Sequence, residues 1–195
     1  MANGANDVDT EQTLKCLHVK MYHPHNRHDK RIFSAFNLGR KEEVKAEEAA
    51  VFGRDVNVCR FKLLNSKASR LQFMFQYFKP LHSSSMAFEI KNLSKKTKLH
   101  VDGVELDYLN KVDLPDKCMI NFGDFQMLLE TEDGESEDLY AICCEVSQTP
   151  LVQDINGPVM VGISETGQQY SQASTCLYLS VPSTPPPVEV DENDL

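Results

Sequence analysis

Hydrophobic and polar residues alternate with a period of two in several short runs of the chain. A period of two is typical of strands that bury one face. The turn dipeptides Asp102-Gly103 and Gly123-Asp124 each separate two such runs, as in a hairpin. Short alternating runs joined by turns predict an all-β fold, an antiparallel β-sandwich. The alternating runs are 17–21, 71–78, 86–90, 99–106 and 118–129.

Two further segments leave their structure open. Residues 41–50, KEEVKAEEAA, form the one stretch with a helix-like composition, and a single turn or a loop over the sheet would serve equally well. Residues 139–146 could add one more strand or pack on the domain. The Phe and Met residues at 71–78 are expected in the core rather than on an RNA-stacking surface.

The composition divides the chain into three parts. Residues 1–12 are polar and acidic, and we expect a flexible arm. Residues 13–146 contain the alternating runs and form the predicted domain. Residues 147–195 are rich in Gln, Ser, Thr, Pro and Gly and end in VPSTPPPVEVDENDL, which predicts a disordered acidic tail with a polyproline bias.

The net charge of −9 is distributed unevenly along the chain. Residues 131–195 contain 12 acidic residues and no Lys or Arg, so all 20 basic residues lie in residues 1–130. An acidic tail is repelled by nucleic acid, but an anion site on the body remains possible.

Cysteine usage and the ends of the chain indicate where the protein resides. The six Cys include no C-x-x-C pair, and we interpret them as free, mostly buried thiols in a reducing compartment. The polar start of the chain is unlike a signal peptide, and no apolar run reaches the ~18–20 residues of a membrane span. We therefore expect a soluble, cytoplasmic protein.

Three polar loops offer groups that suit a phosphate. They are Gly53-Arg54, residues 66–70 and KNLSKKTK at 91–98. Arg donates parallel hydrogen bonds to phosphate oxygens, Lys adds charge, and Ser, Thr and Asn supply neutral donors. Taken alone, the same residues would equally fit a loop salt bridge, a turn-capping hydroxyl and a solvated charge run.

Catalytic and metal chemistry have no comparable support in the sequence. We find no Gly-rich P-loop, nucleophile elbow or suitably spaced carboxylate pair, so an enzyme is not predicted and no cofactor is expected. The run HPHNRHD at 23–29 imitates a metal cluster but lacks convergent ligands, so we predict a solvated loop and no metal site.

The order of the loop residues resembles that of the forkhead-associated (FHA) family. The family pattern of Gly-Arg, then Ser, then an Asn- and Ser-containing loop is matched by Gly53-Arg54, Ser69 and NLSKKTKLHVDG at 92–103. The resemblance implies an FHA-type sandwich in which Arg54 and Ser69 bind phosphothreonine, with Lys91, Asn92 and Thr97 as further candidates. Two departures concern Gln72, where the family has a buried His that braces the loop, and Thr97-Lys98, where it has Asn-Gly.

With the termini included, the chain resembles FHA adaptors that recruit TRAF-family ubiquitin ligases. The matching segments include DTEQTLKCL, EIKNLSKKT, EDGES and the terminal DEN. The resemblance implies a homodimer in which an α-kinase phosphorylates Thr10. The FHA domain of another copy would then bind this residue, and the oligomers would activate NF-κB innate immune signalling. Pro187, Glu189 and Glu192 fit the TRAF ligand pattern Pro-x-Glu-x-x-acidic.

The arm itself favours binding between copies. Three residues separate Thr10 from Leu14, so this tether spans at most ~14 Å. We hypothesise that so short an arm cannot reach its own loops, and head-to-tail contacts of this kind build open chains. Two alternatives remain, a phosphopeptide reader of another protein and an RNA-binding β domain that uses the Lys-rich loop.

Overall fold

The computed structural model describes residues 13–151, together with the backbone of residues 162–163 and 169–170. The described part contains one short 3₁₀ helix, Pro24–Arg27, and strands β1 to β14. In chain order the strands are β1 (Lys15–Tyr22), β2 (Lys41–Lys45), β3 (Ala50–Gly53), β4 (Phe61–Lys62), β5 (Phe73–Phe78), β6 (Ala87–Asn92), β7 (Leu99–Val101), β8 (Val104–Leu106), β9 (Lys111–Asp113), β10 (Lys117–Phe122), β11 (Phe125–Glu132), β12 (Leu139–Val146), β13 (Gly162–Ile163) and β14 (Gln169–Tyr170).

The strands form two seven-stranded sheets that enclose one core, which confirms the predicted all-β sandwich. The first sheet has the order β2-β12-β1-β11-β10-β7-β8, and the second has β14-β13-β9-β6-β5-β3-β4. Most neighbours are antiparallel, but β1 pairs with β12 and β3 pairs with β4 in parallel. Neither parallel pair is joined by a tight turn: strands β2 to β11 lie between β1 and β12, and the loop of residues 54–60 joins β3 to β4.

Aromatic rings join the two sheets across the core. Phe52 and Phe73 stack within the second sheet at 4.8 Å between ring centroids, and Phe73 meets Phe122 of the first sheet at 5.6 Å. At the other end of the core, Tyr77 lies 5.0 Å from Tyr140. Burial of each such ring contributes about 1.5–3 kcal/mol, so the nine buried residues of the ten Phe supply much of the core of a protein without Trp.

The helix-like composition of residues 41–50 is overridden by pairing with β12. Residues Lys41–Lys45 form β2, which is antiparallel to β12 with Val44 opposite Tyr140. Val44 is buried while its neighbours are at least partly exposed, the pattern of an edge strand with one inward side chain. Tertiary burial of Val44 therefore outweighs the modest helix propensity of the Glu and Lys residues around it.

The prediction of a solvated loop at 23–29 is wrong for its buried members. His23 is 1 % exposed, and its ring lies 4.5 Å from the Phe125 ring. Its Nδ1 accepts a hydrogen bond from the His25 N–H at the start of the 3₁₀ helix. Asn26 is buried as well. The segment thus inserts His23 and Asn26 into the protein, while its other residues remain exposed or half-buried.

The five cysteines that the structure describes are buried and free, as predicted, and Cys176 lies outside the described residues. Within the described part, no helix is long and apolar enough to cross a bilayer. Strands β13 and β14 fall inside the segment expected to be disordered, and β13 joins β9 through Ile163 and Lys111. The arm with Thr10 and the end of the tail, with Pro187, Glu189 and Glu192, lie outside the described residues.

The buried His23 predicts a stability that falls in mild acid. Burial lowers the pKa of its imidazole below the ordinary 6.5; His25 and Lys67 act in the same direction, and Asp124 opposes them. As the pH falls through 6.5, the unfolded chain takes up this proton before the folded one, so the free energy of unfolding decreases. Urea unfolding from about pH 7 to pH 5 should show this loss, and His23→Gln should reduce its slope.

The exposed His28, five residues further on, provides the matched control. His28→Gln should keep the wild-type pH dependence, because this side chain lies in solvent on the same segment. Equal slopes for the wild-type chain and His23→Gln would show that His23 does not cause the loss.

Candidate functional site

The loop after β3 and the loop before β5 are held together by their backbones. The Arg54 N–H donates to the Ser69 carbonyl at 3.0 Å, and the Asp55 N–H donates to the Arg70 carbonyl at 3.2 Å. Gly53 permits this approach, because a Cβ at this position would lie 2.2 Å from the Arg70 carbonyl oxygen. The structure therefore brings together Arg54 and Ser69, the two residues with the main predicted role.

The buried Cys59 stabilises the same contact through hydrogen bonds to both loops. Its Sγ donates to the Arg70 carbonyl at 3.2 Å, and its N–H donates to the Asp55 carbonyl at 2.9 Å. Burial raises the pKa of the Cys59 thiol, so it remains protonated and able to donate at neutral pH. The sequence had placed this cysteine only among the buried thiols.

Gln72 holds the Ser69 backbone in place. Gln72 is fully buried, and its Oε1 accepts the Ser69 N–H at 3.0 Å. The backbone N–H of Gln72 donates to the Phe52 carbonyl, and the backbone carbonyl of Gln72 accepts from the Leu93 N–H. Although Gln72 departs from the FHA pattern, it braces the Ser69 loop. The cost is its buried Nε2, which has no hydrogen-bond partner in the described part of the chain.

Asn92 shapes the loop between β6 and β7 from within. Its Nδ2 donates to the carbonyls of Thr97 and Leu106 at 3.2 and 2.8 Å, and its Oδ1 accepts the Ser94 N–H at 2.9 Å. Asn92 is completely buried. Because both of its amide protons and its oxygen are engaged in the protein, its place in the site is that of a support for the loop.

Ser94 connects this loop to Ser69. It belongs to the Lys-rich loop that was expected to suit a phosphate, but it is not among the residues for which the family resemblance implies phosphothreonine binding. The Ser94 and Ser69 hydroxyl oxygens lie 2.7 Å apart, and Ser94 is buried. The signal in the sequence was its spacing from Thr97, since a Ser hydroxyl often caps the N–H groups two and three residues further on. Here the Ser94 Oγ accepts from the N–H groups of Lys96 and Thr97.

The remaining predicted residues lie at the border of the site. Thr97 is half-buried, and its backbone is held on both sides, by Ser94 and by Asn92. Lys91 is the last residue but one of β6, pairs with Met74 and Lys111, and is half-buried. Asn92 follows it directly, which places Lys91 at the strand end from which the loop begins.

Positive charge is unevenly available among these loops. Lys67 is paired with Asp124 at 2.6 Å, and this hydrogen bond keeps the pKa of Asp124 below its usual range. Lys98 is paired with Glu105, and the Lys95 ammonium lies 5.0 Å from the centre of the Tyr108 ring.

The two arginines of the site remain available. Arg54 and Arg70 are exposed, and within residues 13–151 neither guanidinium has an ion-pair partner. A rigid fork of donors next to a fixed hydroxyl is well suited to a phosphate group, which offers only acceptor oxygens and negative charge at neutral pH. The site thus combines exposed cations with a buried framework that holds them.

A family model and several relatives match this chain. The model described as the FHA domain matches residues 50–123, which include the three loops of the site. A TRAF-interacting protein with FHA domain-containing protein A from Xenopus tropicalis is 55% identical over 161 residues, which cover 83% of this chain and 90% of that protein. The Homo sapiens protein of the same name is 42% identical over 188 residues, covering 96% and 97% of the two chains.

This chain is also similar, at lower sequence identity, to a second named protein and to a solved domain. TRAF-interacting protein with FHA domain-containing protein B from Homo sapiens is 28% identical over 154 residues, covering 73% of this chain and 84% of that protein. The crystal structure of the MEK1 FHA domain with a phosphothreonine peptide of HOP1 has a TM-score of 0.40 and 16% identity, covering 49% of this chain and all of that one.

The tight contact at Gly53 predicts that the site does not tolerate a larger residue there. Gly53→Ala would force the Arg54 and Ser69 loops apart, because backbone atoms of Arg70 and the Cys59 Sγ would lie within 3 Å of the new Cβ. We expect a loss of about 1–3 kcal/mol in the free energy of unfolding, measured by urea denaturation. Gly39→Asn is the comparison for a glycine without a close contact: nothing lies within 4 Å of a new Cβ there, so any loss reports only the left-handed backbone at φ +71°. Equal stability of Gly53→Ala and the wild-type chain would contradict the contact.

Proposed function

Since the chain belongs to the family of TRAF-interacting proteins with an FHA domain, we propose that it is a signalling adaptor that binds phosphothreonine through Arg54 and Ser69. The observation that carries this proposal is the direct backbone contact between these two residues, at 3.0 Å. It joins the backbones of two residues that carry a guanidinium without an ion-pair partner among residues 13–151 and a hydroxyl. Lys91 and Thr97 contribute from the border of the site, and Asn92 contributes through the shape of the loop.

The proposed ligand is phosphorylated Thr10 of another copy of the chain. The arm around Thr10 contains Asp7, Asp9 and Glu11 and no basic residue before Lys15, so its charge complements the exposed arginines. An α-kinase is the proposed source of the phosphate. Binding between copies is head-to-tail, and a homodimeric body is bivalent, so the assembly grows into oligomers.

The proposed output is the acidic tail. The relatives above are named as TRAF-interacting, and Pro187, Glu189 and Glu192 of this chain fit the corresponding ligand pattern. The adjacent prolines favour an extended peptide that can lie along a sheet edge of a TRAF-family ubiquitin ligase. A single short motif binds weakly, and clustering of many tails provides avidity. The consequence is activation of NF-κB innate immune signalling from the cytoplasm.

The arrangement of charges disfavours the alternative of an RNA-binding surface. Lys67 and Lys98 are paired with Asp124 and Glu105, so fewer cations lack an acidic partner than the sequence suggests. RNA binding depends on many contacts between unpaired Lys or Arg side chains and the phosphates of the strand. A reader of phosphothreonine in a different protein uses the same site and is distinguished by its ligand.

Calorimetric titration tests the binding half of this proposal. The full-length chain should bind a peptide of residues 5–16 only when Thr10 is phosphorylated. Arg54→Ala should weaken binding by about 10- to 100-fold, because it removes charge-assisted hydrogen bonds worth about 1.5–3 kcal/mol. Arg31→Ala, an exposed arginine paired with Asp29 away from the site, should bind as the wild-type chain does.

Two outcomes would change the assignment. Binding of both peptide forms would show that the phosphate is not read. If neither form binds while another phosphothreonine peptide does, the site is kept and Thr10 is excluded as its ligand.

A second experiment tests self-assembly and TRAF binding separately. On phosphorylation by the kinase, we expect Thr10→Ala to remain at the size of the unmodified protein in light scattering, whereas Glu189→Ala assembles normally. Only the assembled chains with an intact tail should retain a TRAF domain on a sizing column. Assembly of Thr10→Ala would contradict the role of Thr10 in self-assembly. Unchanged retention of the TRAF domain by Glu189→Ala would contradict the role of the tail motif.

A further inference from the structure

We propose that Ser94 is a positioning residue that sets the direction of the Ser69 hydroxyl proton, so that Ser69 meets its ligand as a hydrogen-bond donor. This inference rests on the proposed function, because it specifies how the same site recognises an oxyanion. It assigns a role to a buried residue of the loop between β6 and β7 that would not itself touch the ligand.

The hydrogen bonds at the Ser94 hydroxyl determine the direction. Its Oγ accepts the Thr97 N–H at 2.9 Å and the Lys96 N–H at 3.2 Å. A serine hydroxyl has two lone pairs and one proton. Both lone pairs of Ser94 are therefore occupied by backbone donors, and in the 2.7 Å contact with Ser69 the Ser94 O–H must donate.

The reverse arrangement is disfavoured by burial. If Ser69 donated to Ser94, the Ser94 proton would need another acceptor, and Ser94 is 3 % exposed. Among residues 13–151, the Ser69 Oγ is the one hydrogen-bond acceptor of the Ser94 hydroxyl. A buried hydroxyl proton without an acceptor is costly, so the donor role of Ser94 is strongly favoured.

Ser69 is consequently left with a proton to offer. Its N–H donates to the Gln72 Oε1, and its carbonyl accepts from the Arg54 N–H, so its backbone is held on both sides. Its Oγ accepts from Ser94, and within the described residues it has no other hydrogen-bond partner. Ser69 is half-buried, so a ligand can still reach this residue.

This arrangement selects for a ligand that only accepts hydrogen bonds. A phosphate monoester presents three acceptor oxygens, which match the Ser69 proton and the Arg54 guanidinium together. An unmodified threonine would bring its own proton and an uncharged oxygen, and would gain little from a fixed donor. A hydroxyl that is already oriented also loses less rotational freedom on binding.

A double-mutant cycle tests the inference in the full-length chain. The probes are the Thr10 phosphopeptide of residues 5–16 in calorimetry and inorganic phosphate in an NMR titration of the backbone amides. We expect Ser94→Ala to weaken phosphopeptide binding about tenfold, and Ser69→Ala to weaken it at least as much. The Ser69→Ala/Ser94→Ala variant should bind no more weakly than Ser69→Ala alone, because Ser94 acts through Ser69.

Two further variants separate positioning from loosening of the loop. Ser94→Thr keeps the hydroxyl and should retain binding. Ser94→Cys replaces the hydroxyl by a weak donor and should give an intermediate loss of binding; it takes the place of Ser94→Ala if that variant does not fold. Ser83→Ala removes an exposed hydroxyl from a loop outside the site and serves as the control. Losses that multiply in the double variant would mean that Ser94 only supports the loop.

The outcomes distinguish this inference from the proposed function. Unchanged binding by Ser94→Ala, with wild-type binding intact, would overturn the role of Ser94 and leave phosphothreonine binding in place. Failure of the wild-type chain to bind either phosphate probe would overturn both. Non-additive losses with rescue by Ser94→Thr are the expected result.

Discussion

The close backbone contact at Gly53 is the constraint on which the candidate site depends. Two loops that leave the same sheet meet where a Cβ cannot fit, and this contact brings the backbones of Arg54 and Ser69 together. Cys59 and Gln72 then fix the loops from below. Since neither guanidinium nor hydroxyl holds this geometry itself, both remain available to a ligand, which is the condition for preorganised recognition.

The site separates residues that hold from residues that are free to bind. The holding residues are buried, and their polar groups are directed at backbone atoms of the loops. The arginines are exposed and carry the charge. The sequence groups Asn92 with the phosphate-binding candidates, but this residue contributes through the shape of its loop. Ser94 acts in the same indirect way, through its hydrogen bond with Ser69. It also means that a substitution in the buried framework can weaken binding without removing any charge.

The proposed mechanism joins this site to the two ends of the chain. The arm supplies a phosphothreonine to another copy, and the tail carries a weak partner motif that becomes effective when copies cluster. Control would then lie in covalent modification of Thr10 and in the number of assembled tails, both of which are functions of charge and valency rather than of a conformational switch.

The sequence by itself determined the fold class and located the loops of the candidate site, whereas the tertiary structure decided how the residues of those loops contact one another. The alternation of apolar residues predicted the sandwich, because a period of two depends only on neighbouring residues, and the order of Gly-Arg, Ser and the Lys-rich loop identified the loops. Long-range contacts determined the rest. Pairing with β12 made residues 41–45 a strand, packing on Phe125 buried His23, and ion pairs removed Lys67 and Lys98 from the available charge. Ser94 and Ser69 are 25 residues apart in sequence, and only the meeting of their loops creates a hydrogen bond that gives one of them a proton to offer.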